Sequence, residues 1–169
     1  MHHVFAATEV FPVTIRFSNG ATLTCKVPED DRDRILVMAS KKLEDRRQFI
    51  VVETVESLIA INTHGIGSVS CARDGEVPTM VSPEHAPMCH LLMTSGQSVE
   101  LDIIQDVITE ENIDECGDLE YLLQMLEESP DFEDAINIKG AVNDHALTAD
   151  QIMTLSFARD LVNKVVIND

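Results

Sequence analysis

Two segments of the chain carry the pattern of a β-hairpin, and they recur at a fixed distance. Residues 13–27 alternate apolar and polar side chains on both sides of Asn19-Gly20, a dipeptide that accepts positive φ in a tight turn. Residues 89–103 show the same alternation about Ser95-Gly96, at an offset of 76 residues. The pattern predicts two antiparallel hairpins and favours an α+β fold with antiparallel sheets.

A second pair of segments matches in the same order along the chain. Residues 145–160 align with residues 59–74 at an offset of 86, with six identities in sixteen positions. Two matches in one order indicate an internal duplication into hairpin–helix–strand units of about 70 residues, each with one main helix. The predicted domains are a unit at 1–75, a proline-containing linker at 76–88 and a second unit at 89–169.

The first unit contains a predicted helix after Pro28. Its sequence begins with acidic residues and ends with Lys41, Lys42, Arg46 and Arg47, which complements a helix dipole at both ends. We expect its apolar stripe to consist of Ile35, Met38, Ala39 and Leu43. Residues 49–55 and 57–72 are rich in β-branched side chains and predict two or three strands.

The second unit contains a predicted helix near residues 118–129. Apolar side chains recur there at the spacing i, i+3, i+4 and i+7, which is typical of an amphipathic helix. They are Leu119, Leu122, Leu123 and Leu126, and Asp118 is the expected N-cap.

Charge divides the chain more sharply than any motif. Residues 1–75 have a net charge of −1, whereas residues 76–169 have a net charge of −17. Residues 100–134 contain fourteen Asp or Glu and no Lys or Arg. Phosphates would be repelled by the second half, which argues against direct binding of nucleic acid or an anionic membrane there. The charge favours a basic partner or cations.

Motifs for catalysis or metal binding are weak. The four cysteines, Cys25, Cys71, Cys89 and Cys116, lack paired spacing, and we interpret them as buried free thiols. His85, Cys89 and His90 do not have the spacing of a zinc site, and Cys89 and His90 should point to opposite faces of a strand. We predict no cofactor and no metal, and a protein that is not an enzyme. The start of the sequence lacks a signal-peptide pattern, which favours a cytoplasmic protein.

An acidic helical surface of this kind can take the place of nucleic acid, because its charges have a spacing comparable to that of phosphates. In charge and size the chain resembles the small acidic inhibitors that phages and mobile elements use against restriction or CRISPR systems. The hypothesis is a nucleic-acid mimic that binds a basic nucleic-acid-binding protein. The predicted partner-binding residues are Glu110, Glu111, Asp114, Glu115, Asp118, Glu120, Glu127, Glu128, Asp131, Glu133 and Asp134.

Self-assembly is the alternative hypothesis. The helix of the first unit could meet the acidic helix of another copy, in a homodimer or head to tail. The basic residues available for that contact are Arg32, Arg34, Lys41, Lys42, Arg46 and Arg47. A small adaptor, an enzyme and a metal-binding protein are the less favoured alternatives.

Overall fold

The computed structural model describes residues 5–79, 89–102, 119–129, 135–139 and 142–159. The first half contains β1 (Phe11–Phe17), β2 (Thr22–Val27), α1 (Glu29–Ser40), β3 (Phe49–Glu53), β4 (Ser57–Asn62) and β5 (Ile66–Cys71). The second half contains β6 (Cys89–Met93), β7 (Ser98–Glu100), α2 (Leu119–Glu128), β8 (Ile136–Lys139), β9 (Asp144–Leu147) and β10 (Ile152–Ala158). Short 3₁₀ turns occupy Leu43–Asp45, Thr63–Gly65 and Ala149–Gln151.

The described strands form three antiparallel sheets. A five-stranded sheet has the order β3-β4-β10-β6-β7, a three-stranded sheet has the order β2-β1-β5, and β8 pairs with β9. The described residues thus combine ten antiparallel strands with two helices, a content that fits the predicted α+β class. Because β4 pairs with β10, strands from both predicted units lie in the same sheet.

Both predicted hairpins are confirmed. β1 pairs with β2 from Phe11↔Val27 to Arg16↔Thr22, and β6 pairs with β7. Gly20 and Gly96 have φ values of 91° and 92°, a backbone conformation that glycine adopts without steric cost. Asn19 Nδ2 also donates a hydrogen bond to Thr94 O at 2.9 Å, so the first turn contacts the second.

The five-stranded sheet is apolar on both faces, because successive side chains of a strand point to opposite sides. On one face, Ile50 and Ile59 pack with the three-stranded sheet and with Ile35 of α1. On the other face, Phe49 and Leu58 pack with α2 and with the β8–β9 pair. The five-stranded sheet is therefore the central layer between two hydrophobic cores.

The first helix is shorter than predicted, and its predicted basic end is wrong. α1 ends at Ser40, and Lys41 has an extended backbone with ψ 154°. The basic residues therefore follow the helix, and Arg46 reaches back to donate to Ala39 O at 3.0 Å, which satisfies a carbonyl that the helix leaves unpaired.

The predicted apolar stripe of α1 is confirmed in part. Ile35 and Met38 are buried as predicted, but Leu43 lies in the following 3₁₀ turn with an exposed fraction of 57%.

The amphipathic stripe of the second helix is confirmed. Leu123 and Leu126 are buried, and Leu119 and Leu122 pack against the same core. The expected N-cap, Asp118, lies outside the described residues. Cys25 and Cys89 are buried free thiols as predicted, whereas Cys71 is a free thiol that is only partly buried, and Cys116 lies outside the described residues.

The predicted linker can be followed only over residues 76–79. There, Glu76 and Val10 exchange two backbone hydrogen bonds of 2.8 Å, so the chain leaves the first half beside the start of β1. The predicted domain boundaries themselves stay a prediction.

Candidate functional site

Most of the predicted partner-binding residues fall outside the described part of the chain. Glu127 and Glu128 are described in full, and Glu120 is placed within α2 by its backbone alone. The remaining eight lie outside the described residues: Glu110, Glu111, Asp114, Glu115, Asp118, Asp131, Glu133 and Asp134. The last turn of α2 is therefore the described edge of the candidate surface.

Two arginines of the first half contact the last turn of α2. Arg34 of α1 forms an ion pair with the Glu127 carboxylate, and Arg47 Nη1 donates to Glu127 O at 3.0 Å. The carbonyls at a helix C-terminus carry partial negative charge and lack partners within the helix, so a guanidinium is a favourable neighbour. Glu127 therefore holds the acidic helix to the first half of the same chain.

Arg34 also connects this ion pair to the central sheet. Its Nη1 donates to Asp31 Oδ1 and to Val51 O, both at 3.0 Å. Asp31 Oδ2 accepts a hydrogen bond from the amide of Glu53 at 2.9 Å. Burial raises the pKa of Asp31, while its bonds to Glu53 and Arg34 act in the opposite direction. A charged network thus joins α1, β3 and α2.

Glu128 has different surroundings from its neighbour. It is exposed, and its carboxylate accepts a hydrogen bond from Gln124 Nε2 at 3.1 Å, one turn earlier on the same helix. Of the two fully described partner-binding candidates, Glu128 is accessible to a partner, whereas Glu127 is occupied within the chain.

Asp102 is an acidic residue whose structural role the sequence did not reveal. Its carboxylate accepts the amides of Val142 at 2.8 Å and Asn143 at 3.1 Å, and lies 2.7 Å from His145 Nε2. The two amide hydrogen bonds, together with His145, hold the pKa of Asp102 well below its usual range. This side chain fastens the turn before β9 to the end of β7.

Arg159 connects the halves at a second place. Its exposed fraction is 8%, its backbone amide donates to Glu56 O at 2.9 Å, and its Nε donates to Val55 O at 3.2 Å. Nη2 of the same guanidinium lies 3.3 Å from Glu53 Oε2. The end of β10 is therefore clamped to the turn between β3 and β4.

The basic residues after α1 are used unequally. Arg46 donates to the carbonyls of Lys41, Thr63, Ile66 and Ala39, so it serves as an internal brace. Arg32 contacts Glu29 and Asp33 and lies over the ring of Phe11 at 4.2 Å. Lys41 and Lys42 are exposed. Only part of the basic set named for self-assembly is therefore available at the surface.

A cavity of about 380 Å³ lies beside β2 and the β3–β4 turn. Its lining includes Val10, Pro12, Cys25 and Ile59. Burial raises the pKa of the Cys25 thiol to about 12, so the thiol stays protonated at neutral pH and is a poor nucleophile. The cavity offers apolar volume, and its buried thiol is not activated.

Of the three residues considered as zinc ligands, Cys89 and His90 are described, and they lie on opposite faces of β6. Cys89 is buried in the core shared with α2, and burial raises the pKa of its thiol to about 12. His90 Nε2 lies 2.7 Å from Ser98 Oγ on the neighbouring strand β7. His85 is outside the described residues.

Comparison with known proteins finds no matching family, curated sequence or solved structure. Within the described part of the chain, neither helix has the length and apolar content needed to cross a membrane. The charges and contacts of the chain itself are therefore the basis for inferring its function.

Proposed function

We propose that this protein is a non-enzymatic interaction protein that mimics nucleic acid and inhibits or regulates a basic nucleic-acid-binding protein. The observation that carries the proposal is the charge asymmetry, a net −17 over residues 76–169 against −1 over residues 1–75. Self-repulsion on that scale destabilises a folded state, and a cationic partner offsets it. Restriction and CRISPR proteins belong to the class of partner that fits.

The contacts of α2 support the same proposal. Glu127 already binds the guanidinium of Arg34, the side chain that most often recognises carboxylates and phosphates. Glu128, in the same turn, is exposed to solvent. A partner arginine would meet Glu128 and the acidic residues on either side of α2, while Glu127 remains in its contact with the first half.

The repeated order of elements supports the proposal that the two halves arose by internal duplication. Among the described residues, each half runs as a hairpin, a helix, a second pair of strands, a 3₁₀ turn and a last strand. In each half the last strand pairs with the first strand of the initial hairpin. The charge asymmetry then means that one copy of the unit acquired the acidic surface.

Competition with DNA tests the proposed function. The candidate partners are a purified restriction endonuclease, a purified CRISPR effector and proteins captured by this protein from a bacterial lysate at low salt. Each would be bound to fluorescent duplex DNA and then titrated with this protein. The proposal expects displacement of the DNA, measured as a fall in anisotropy, and weaker displacement when salt screens the exposed charges. A protein that displaces no DNA from any of these partners is not a mimic.

Matched charge variants identify the surface. Neutralising Glu110, Glu111, Asp114 and Glu115 to the corresponding amides should weaken displacement by about tenfold or more. The control neutralises four exposed acids of the first half, Asp30, Glu44, Asp45 and Glu56, and should change displacement by less than about twofold. Equal effects of the two variants would mean that total charge, rather than the acidic surface, governs binding.

Self-assembly through the two helices makes a different prediction. In this structure Arg34 and Glu127 pair within one chain. Assembly between copies would then depend on the exposed Lys41 and Lys42 and on the remaining acids. Salt-sensitive oligomers of the pure protein, together with no effect on DNA binding by any partner, would favour that alternative.

A further inference from the structure

The five-stranded sheet contains a junction between the two halves. β4 and β10 run antiparallel from Ser57↔Ala158 to Ile61↔Thr154. Counting the described strands, β4 is the fourth of the first half and β10 is the fifth of the second half. The junction therefore joins a fourth strand to a fifth strand.

The strand pairings inside each half are equivalent. In the first half, β1 pairs with β2 and β5, and β3 pairs with β4. In the second half, β6 pairs with β7 and β10, and β8 pairs with β9. In both halves a 3₁₀ turn connects the fourth strand to the fifth. The counterpart of the β4–β10 junction would be a pairing of β9 with β5.

That counterpart is not formed among the described strands. Among the described strands, β5 pairs only with β1 and β9 pairs only with β8, so each is an edge strand in that part of the chain. Ser68 and Ser70 of β5 and Ala146 of β9 are exposed. An edge strand offers a row of backbone groups as a template for another strand. Together, the three-stranded and two-stranded sheets contain the equivalents of all five strands of the central sheet. They therefore correspond to a second five-stranded sheet that is divided into two parts.

We propose that β9 of one copy pairs with β5 of a second copy, so that the protein assembles head to tail. The intermolecular sheet would have the order β8-β9-β5-β1-β2, which repeats the order β3-β4-β10-β6-β7 within the chain. Transferring the junction register by 86 residues pairs Val69 with Ala146 and Ser70 with His145. The inference is independent of the acidic surface and its partner.

The direction of the backbone groups in β5 agrees with this register. Ala72 N donates to Pro12 O of β1 at 3.0 Å, so by the two-residue alternation of a ladder Ser70 also faces β1. Val69 and Cys71 then present their amides and carbonyls on the side of β5 that faces away from β1, where no described strand pairs with them. Their equivalents in β10 are Leu155 and Phe157. The amide of Arg159 donates to Glu56 O on the β4 side, so by the same alternation Phe157 and Leu155 also direct their backbone groups towards β4.

The two edges cannot meet within one chain because the central sheet separates them. Ile15 of β1 packs on the face that carries Ile50, whereas Ile138 of β8 packs on the face that carries Phe49. A second copy is therefore required. Head-to-tail contact also places the acidic second half of one copy beside the nearly neutral first half of the next, which avoids like-charge contact.

Such an interface is heterologous, so blocking one edge leaves the other active. The β5 edge is blocked by Val69→Pro, which removes an outward amide, and the β9 edge by Ala146→Pro. The lysine variants Ser68→Lys and Ala146→Lys block the same edges and keep the backbone amides. The control is Glu100→Pro at the outer edge of β7, whose neighbour Leu101 donates inward to Cys89 O.

Sedimentation velocity at micromolar to millimolar protein concentration measures the oligomeric state of each variant, and circular dichroism verifies that each variant is folded. We expect the wild type and the control to form species larger than a monomer that persist in high salt, because backbone hydrogen bonds rather than exposed charges form the contact. Each blocked variant alone should remain monomeric. An equimolar mixture of a β5-blocked and a β9-blocked variant should form a dimer and nothing larger, since each retains one open edge.

Three results would overturn the proposal. The first is a folded wild type that stays monomeric up to millimolar concentration. The second is a blocked variant, proline or lysine, that alone still associates as the wild type does, which would indicate a symmetric contact or another surface. The third is an assembly that high salt dissociates and that all blocked variants retain, which would indicate pairing between charged helices.

Discussion

The fifth strand of each half occupies an equivalent place in its own half but a different place in the molecule. β10 lies in the middle of the five-stranded sheet, and all but one of its residues are buried. β5 lies at an edge among the described strands, and of its six residues only the first is buried. Burial of a strand therefore depends on which strands become its neighbours, and we expect truncation of β10 to cost more stability than truncation of β5.

The helices of the two halves differ in a similar way. α1 follows β2 after a single residue, Pro28, whereas α2 begins after an acidic segment that separates it from β7. The first half supplies the arginines that close the contact, and the second half supplies the acid that receives them. The nearly neutral half therefore partly neutralises the edge of the acidic one.

Truncation of the fifth strand should separate the halves most clearly. Phe157 is fully buried beside β4, and Phe157→Ala should lower the free energy of unfolding by about 3–5 kcal/mol through lost burial and a cavity. The equivalent change in β5, Cys71→Ala, should cost about 1 kcal/mol or less because Cys71 is only partly buried. Urea unfolding followed by circular dichroism measures both. Equal losses would mean that β5 is covered in solution as thoroughly as β10.

The arginines that follow the fifth strands form a second matched pair. Arg159→Ala should cost about 2–4 kcal/mol, because it leaves buried carbonyls and the Glu53 carboxylate without the guanidinium. Arg73 is exposed at the equivalent position, and Arg73→Ala should change the unfolding free energy by less than about 0.5 kcal/mol. Thermal unfolding of the two variants provides an independent comparison. A neutral Arg159→Ala would show that the clamp between β10 and the β3–β4 turn contributes nothing.

Adjacent acids of α2 should respond differently to charge reversal. Glu127→Lys places a cation beside Arg34 and Arg47 and should cost about 1–2 kcal/mol, a modest amount because the ion pair is about one-third exposed. Glu128→Lys should change stability by less than about 0.5 kcal/mol. Chemical unfolding at low and high salt tests both, since salt should reduce the difference. The opposite order of effects would contradict the assignment of Glu127 to the contact with the first half.

The smallest effect should appear in acid, where Asp102 and Asp31 act with opposite sign. The pKa of Asp102 is depressed in the folded protein. The carboxylate therefore contributes its full stabilisation of the folded state above its ordinary pKa of about 4, and this contribution is lost as the pH falls towards the pKa in the folded state. Asp102→Asn should therefore lose less stability than the wild type as the pH is lowered below about 4.

Asp31 provides the contrast for that measurement. Its pKa is raised by burial, so its contribution is present below its ordinary pKa and is lost as the pH rises through the folded value. Protonation of Asp31 in acid favours the folded state and so opposes the acid-induced loss of stability. Asp31→Asn removes this contribution, so the variant should lose more stability than the wild type as the pH is lowered, which is opposite to the effect of Asp102→Asn. Shifts in the same direction would show that one of the two environments is assigned the wrong sign.

Local patterns in the sequence predicted the hairpins and α2 because their causes are local. Glycine at the turn and alternation over a few residues define a hairpin, and a stripe at helical spacing defines α2. The end of α1 was predicted too late, since the basic residues suited a helix C-terminus while Arg46 instead returns to the helix from outside. The roles of Asp102, Arg159 and Glu127 depend on partners 40, 106 and 93 positions away, as in the contacts to Val142, Glu53 and Arg34.

The sequence alone determined the charge asymmetry, the repeated order of hairpin, helix and strands, and the amphipathic face of α2. Each follows from composition or from neighbours within a few residues. Only the tertiary structure decided that β4 pairs with β10, that Glu127 is bound within the chain and that β5 and β9 are edges. Strand partners lie far apart in sequence, and any alternating strand has the same backbone groups to offer. The choice between them is therefore made by how the layers pack.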